Sequence, residues 1–295
     1  MLNKSDLGLI AMQITAHFLR NMKRVAIPFL FLYLTLIPAF ASEERQVVIA
    51  ADPWCPYNCT PESKSPGYLI ELAQTVFQPH GYTIKYMNLP WARALKYAKE
   101  GTIHAAVGAV RGNISGHYIG EVALGKDETI LVVRKGEYFN YTGISAFGKK
   151  RLGVITNYTY DNNGEIDRYI YKLRQQSKGG VSVLHQETAV NALFNMLLSR
   201  KIDVFPENRY VALYKARELG VSDQIEIITT GKADDIFIAF TPNNEGEMLS
   251  KMLDEGINLL RKNGKLKSQC IILCENMLCC DTLEMINTIL MLAGH

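Results

Sequence analysis

The sequence predicts an α/β fold with mostly parallel strands, built as two successive units. Strand-patterned and helix-patterned segments alternate from residue 46 onward, as they do when parallel strands are joined by crossover helices. The alternation pauses after residue 136 and restarts at 149. A last strand and a long helix then follow, placed to return to the first unit.

The first unit opens with QVVIAADP (46–53), an apolar run that reads as a buried strand. GYLIELAQTVFQPHG (67–81) reads as an amphipathic helix. Leu69, Leu72, Ala73, Val76 and Phe77 fall on one face, and Gly81 is the stop. YTIKYMNLP (82–90) is a strand and WARALKYAKEG (91–101) a helix ending in Gly. IHAAVGAV (103–110) and ETILVVRKG (128–136) are strands.

The second unit begins with the strand KKRLGVIT (149–156) and the helix EIDRYIYKLRQQS (165–177). VSVLHQ (181–186), IDVFPE (202–207) and QIEIITTG (224–231) read as strands, separated by helices at 188–201 and 209–220. DIFIAFTP (235–242) is one more strand, and 245–268 a long helix with a basic final turn. Crossings near 133–138 and 231–236 would form a two-segment hinge.

Composition bounds the function. The 295 residues are 48% hydrophobic and 21% charged, with a net charge of +3, which suits a globular protein with a substantial core. Residues 1–41 supply that surplus through Lys4, Arg20, Lys23 and Arg24 against Asp6, and the rest balances. No basic stripe points to nucleic acid. From Met22, two basic residues, an apolar run broken by Pro28 and Pro38, and Ala39-Phe40-Ala41 read as an export signal with a cleavage site. Residues 1–21 read as an upstream extension. The expected location is the periplasm, where disulfides persist. The late cysteines Cys270, Cys274, Cys279 and Cys280 match no standard zinc spacing, and no metal or cofactor is expected. The tail 269–295 is apolar and Cys-rich, and no function is assigned to it.

The segments GYLIEL, PWARAL, G-x-I-x-A, KRLGVITNYTY and SRKIDVFPEN, in this order, resemble the family 3 extracellular solute-binding proteins. These are the periplasmic components of polar amino acid ABC transporters. The resemblance covers about 46–268. It implies a two-lobed Venus-flytrap fold, each lobe a mostly parallel sheet flanked by helices. Lobe 1 would take 42–134 and 236–268, and lobe 2 would take 137–232. The implied partners are a small polar solute and a transporter permease, with the protein a monomer.

Ligands of open α/β sheets sit beyond the carboxyl ends of the strands. In the first unit those positions hold Trp54, Tyr57, Trp91, Arg111 and Asn113. In the second they hold Tyr158, Thr159, Glu207 and Asn208. Aromatic faces can stack on a ligand or a cation, and a guanidinium fork matches a carboxylate. On the family's register the usual carboxylate-binding Arg falls at Gly116. Arg111, or Arg93 in PWARAL, is therefore the substitute expected. Thr159 matches a Thr at a helix start, where amides can bind an anion. Asn208 matches an ammonium-binding carboxylate, with Glu207 beside it. Asp203 reads as structural.

WCPYNC (54–59) is one residue longer than the redox motif Cys-Pro-Tyr-Cys. A reactive dithiol needs its first Cys at a helix start, but TPESKSPG follows, and its prolines and turn formers start no helix there. The stretch reads as a cleft loop. Cys55 and Cys59 lie close enough to form a local disulfide, or to stay a free pair. His104, His117 and His185 have no nucleophile arranged as a triad, and no phosphate-cradling Gly-Lys loop occurs. The expected function is solute capture for an ABC transporter by hinge closure, not catalysis. The alternatives are an enzyme on the same fold, dehydratase-like or lytic, and a solute sensor paired with a membrane receptor.

Overall fold

The computed structural model describes residues 45–175, 180–185 and 188–266. The export segment, the tail 269–295 and the four late cysteines lie outside the described residues. The strands are β1 (Arg45–Ala51), β2 (Tyr82–Asn88), β3 (Ala105–Ala109), β4 (Gly125–Arg134), β5 (Leu152–Ile155), β6 (Val181–Leu184), β7 (Val204–Asn208) and β8 (Ile225–Phe240). The helices are α1 (Tyr68–Phe77), α2 (Trp91–Glu100), α3 (Glu165–Gln175), α4 (Ala189–Leu198), α5 (Arg209–Glu218) and α6 (Asn244–Lys262). No helix among the described residues is long and apolar enough to cross a membrane.

The strands run in the order β2-β1-β3-β8-β4-β7-β5-β6. β1 pairs in parallel with β2 and β3, and β5 with β6 and β7. Antiparallel β4 and β8 join these two parallel groups. β8 pairs with β3 through Phe237–Phe240 and with β4 through Ile225–Ile236. Both faces of each group are covered. In β4, Ile130 and Val132 face one apolar cluster while Leu131 and Val133 face another, the alternation expected of a strand buried on both sides. Leu72 and Val76 of α1 pack with Leu249 and Leu253 of α6 on one side of the first group. Trp91, Ala94 and Ala98 of α2 cover the other.

The element pattern follows the sequence closely, with instructive differences. The helix expected over 67–81 is α-helical only to Phe77, then a 3₁₀ turn through Gln78–His80. Pro79 carries no amide to continue the α ladder, and Gly81 then stops the chain at φ 77°. The two strands expected at 224–231 and 235–242 are one strand, β8, whose ladder with β4 shifts register beside Thr129 and Ile130. Gly231, at φ 70°, lies in that bulge. β4 begins earlier than expected, at Gly125, because Gly125–Glu128 pair with β8.

Asp203 has the structural role expected of it. Its carboxylate accepts from the Arg151 backbone and guanidinium, and from Arg134 at 3.1 Å. These guanidiniums hold it well below the usual carboxylate range.

Candidate ligand-binding cleft

The loop after β1 builds one wall. Trp54 and Asn58 pair across a tight turn, with Trp54 N donating to Asn58 O at 2.7 Å. Cys55 and Cys59 are joined by a disulfide within it. The returning chain fixes the loop to α1. The amides of Tyr68 and Leu69 donate to the carbonyls of Pro56 and Tyr57 at 3.0 and 2.8 Å, meeting the need of a helix start for acceptors. Gly67 allows this approach. At φ 112°, a side chain there would stand 2.5 Å from Tyr57 O.

A cavity of about 30 Å³ opens beside this loop. Asp52, Trp54, Asn58, Gly108 and Trp91 line it from the first parallel group, Asp127 from the joining strand β4, and Tyr158 and Thr159 from the loop after β5. It lies at the carboxyl ends of β1, β3 and β5, where open α/β sheets place their clefts. Hydrogen bonds cross it. Tyr158 Oη donates to Asp52 Oδ2. Trp91 Nε1 donates to Asn157 O at 3.1 Å, and Trp54 Nε1 to Glu207 Oε1 at 3.0 Å.

Behind Trp54 lies a buried polar cluster. Tyr57 stacks on Trp54 with centroids 4.6 Å apart, and its hydroxyl donates to Lys126 O at 2.8 Å. Asn208 Oδ1 caps α5 by accepting from Tyr210 and Val211, while its Nδ2 donates to Asp127 at 2.9 Å. Glu207 is 2% exposed, and its Oε2 has no hydrogen-bond partner. Burial, with Asp127 and Asp52 nearby, pushes the Glu207 carboxyl up to about 8. Burial likewise raises Asp127 to about 7, against the Asn208 hydrogen bond. The carboxamide Oδ1 of Asn58, a residue 1% exposed, is also without a partner.

The sequence-selected residues thus separate. Trp54, Trp91, Tyr158 and Thr159 line the cavity, and Tyr57, Glu207 and Asn208 back it. Arg111 does not line it. Its guanidinium stacks 4.4 Å above the Phe237 ring and donates to Gly120 O at 3.4 Å. Arg93 lines a neighbouring cavity of about 210 Å³ that shares Asp52 and Trp91. Asn113 ends the 3₁₀ turn Arg111–Asn113, and its side chain lies outside what is described. Thr159 is not at a helix start, since α3 begins at Glu165. The intervening loop is tied by Asp161 and Asp167, which accept from backbone amides on both sides.

Sequence reasoning missed Asp52, Asn58 and Asp127. Asp52 directly follows an apolar strand run, which is a legible signal. Asp127 gave none, because its place beside Asn208 depends on the antiparallel pairing of β4 with β7.

No family model and no curated protein matches this sequence. Solved structures do match. A substrate-binding protein of an ABC uptake transporter from Streptococcus pneumoniae, with bound histidine, is 19% identical with a TM-score of 0.62, covering 76% of this chain and 90% of that one. An L-arginine-bound substrate-binding protein from the same species is 17% identical, TM-score 0.62, covering 82% and 99%. A histidine kinase sensor domain with similarity to periplasmic binding proteins is 15% identical, TM-score 0.64, covering 77% and 95%. With the strand order and the placement of the cleft, these likenesses identify the chain as one with the α/β fold of the periplasmic binding proteins.

Proposed function

We propose that the protein is a family 3 solute-binding protein, exported to the periplasm, that captures a small polar solute and delivers it to an ABC transporter permease. The observation that carries this reading is the cleft itself. Its walls come from both parallel groups, and side-chain hydrogen bonds cross it, so a solute lodged there would be gripped from two sides. The family resemblance and the two bound-ligand neighbours support the same reading. The lobes are 42–134 with 236–268, and 137–232, and the chain works as a monomer. The crossings between the lobes, near 133–138 at the end of β4 and 231–236 within β8, are the hinge. Closure around a ligand follows from two such strands acting as a hinge.

The sensor-domain neighbour favours a second reading, in which the same closure reports solute to a separate membrane receptor. Turnover has less support: Glu207 has a raised pKa but bonds to Trp54 and to its own chain rather than to a nucleophile or a second acid poised on the cavity.

A thermal-shift panel of amino acids, amines, organic acids and short peptides tests the reading. A solute at 100 times its Kd adds about 2.7 kcal/mol of stability, which raises Tm by roughly 5–10 °C for a protein this size. The expected result is a clear shift from one solute class, with the solute recovered unchanged. Consumption of the solute would replace binding with catalysis. No shift from any class would overturn the reading.

A further inference from the structure

We propose that the solute this cleft selects is a cationic amine carrying no carboxylate, held by its ammonium group between Trp54, Trp91, Asn58 and the carboxylates of Asp52 and Asp127. The proposal rests on the solute-binding reading and narrows it to a ligand class.

The composition of the cleft carries the argument. Among the described residues, every charged one that lines the cavity is an acid, and no Arg, Lys or His lines it. A carboxylate-bearing ligand would meet no cation there to offset its desolvation. The two nearest guanidiniums lie outside this space, Arg111 in a stack of its own and Arg93 around the corner of Trp91. Arg111 lies over Phe237, and Arg93 sits on the exposed side of α2 in the neighbouring cavity. Two indoles line the same space, and aromatic faces attract ammonium groups.

A second, independent observation points to a donor-rich ligand. Asn58 is almost fully buried, lines the cavity and leaves its carboxamide oxygen without a donor. A buried acceptor left unmet costs about 1–3 kcal/mol. An ammonium brings three donors and no acceptor, which is the complement of Asn58 Oδ1 and two carboxylates. A bound metal fits less well, since among the described residues no three acidic, His or Cys side chains converge closely enough to hold one. Size agrees. The inner cavity of about 30 Å³ admits a water-sized head group. The carbon chain has the neighbouring cavity to run into, past Trp91 and between Pro90, Ile155 and Leu184. Arg93 and His185 line that outer space, so the acid-only lining excludes a carboxylate beside the ammonium, as in an α-amino acid.

The buried acids add a signature. Asp127 and Glu207 hold protons close to neutral pH because burial raises them to about 7 and about 8. The groups facing them are Asp52, Tyr57, Tyr158, Tyr160, Asp167 and Asp234, with Trp54 and Asn208 as donors, and none of these is cationic. An arriving ammonium lowers both pKa values. An aliphatic ammonium near pKa 10 enters already charged, so any proton released comes from the protein. Affinity therefore rises as pH climbs through about 7 to 8.

Calorimetric titration of the purified protein with matched pairs tests the proposal: agmatine against arginine, cadaverine against lysine, histamine against histidine. We expect at least one amine to bind tenfold or more tighter than its amino acid. That amine should release protons at pH 7, read from titrations in two buffers of different ionisation enthalpy. Asp127→Asn, checked for its fold by circular dichroism, should weaken the amine at least tenfold. An amino acid that binds as tightly as its amine overturns the proposal and leaves the solute-binding reading standing. So does a thermal shift confined to anionic or neutral solutes. Amine binding without proton release removes Asp127 and Glu207 from ligand recognition and overturns the assignment on readouts that need no variant. Absence of binding by every solute class defeats both readings together.

Discussion

Glu207 is an acid placed where acids are least stable. It is buried between Trp54 and the start of α5, with one oxygen bonded and one unmet. Its folded pKa is raised from the ordinary 4.5 to about 8. The sign follows: the stability it contributes is full below about 4.5 and is lost as pH rises toward about 8. Asp127 acts in the same direction up to about 7. Asp203 acts oppositely. Its pKa is depressed by Arg151 and Arg134, so its contribution is present above the ordinary range and lost only in acid. The ligand-free protein should therefore lose stability from about pH 4.5 to about 8, by up to about 1.4 kcal/mol per pH unit for each acid involved. Glu207→Gln, which imitates the protonated carboxyl, should flatten that slope in thermal unfolding at stepped pH. A variant with an unchanged slope would place the titration on other groups. The sequence pointed to Glu207 because it ends a strand, but nothing local distinguished a ligand carboxylate from a backing one. Arg111 was misleading for the same reason: its position after β3 was legible, while its stacking on Phe237 of β8 depends on a distant strand.

The loop between β1 and α1 is the element on which the cleft depends. It has no regular ladder of its own, and three devices hold it: the Cys55–Cys59 disulfide, the Trp54–Asn58 turn, and the carbonyls of Pro56 and Tyr57 bound to α1 amides. All three converge where Gly67 passes Tyr57 and Asn58. Gly67→Ala adds a Cβ at 2.6 Å from Asn58 Cα in a backbone region that disfavours it. We expect a loss of about 1–3 kcal/mol in urea denaturation, together with weaker ligand binding as Asn58 shifts. Full affinity in this variant would mean that the loop does not set the cleft. Most elements were legible because their apolar periods are strong, as in α1, followed by a 3₁₀ turn that Gly81 ends, and in α2, capped by left-handed Gly101. β8 was less so. Gly231 through Asp235 carries no strand pattern, and its extension is imposed by ten residues of β4 alongside. Pairing over that distance overrides local preference.

At the scale of the molecule, closure is a balance between ligand contacts and contacts the protein makes with itself. Among the described residues, four of the hydrogen bonds that tie the two sides of the cleft are Trp54–Glu207, Trp91–Asn157, Tyr158–Asp52 and Asn163–Gly112. Each exchanges water for protein, so each is worth about 1 kcal/mol net, and more for the charged acceptors. Together they favour the closed form, and a ligand adds its own contacts to the same balance. Tyr158 is the most informative of the four, because its hydroxyl meets Asp52, an acid that the proposed ammonium also contacts. Tyr158→Phe deletes that bond and keeps the ring. If the self-contacts hold the cleft, solution X-ray scattering of the ligand-free variant should give a larger radius of gyration than the unchanged protein. Saturating ligand should return both to the same compact value. Equal radii before ligand would mean that this bond contributes nothing to closure. Equal radii before and after ligand in both proteins would mean that β4 and β8 do not act as a hinge, and the capture mechanism would fall with them.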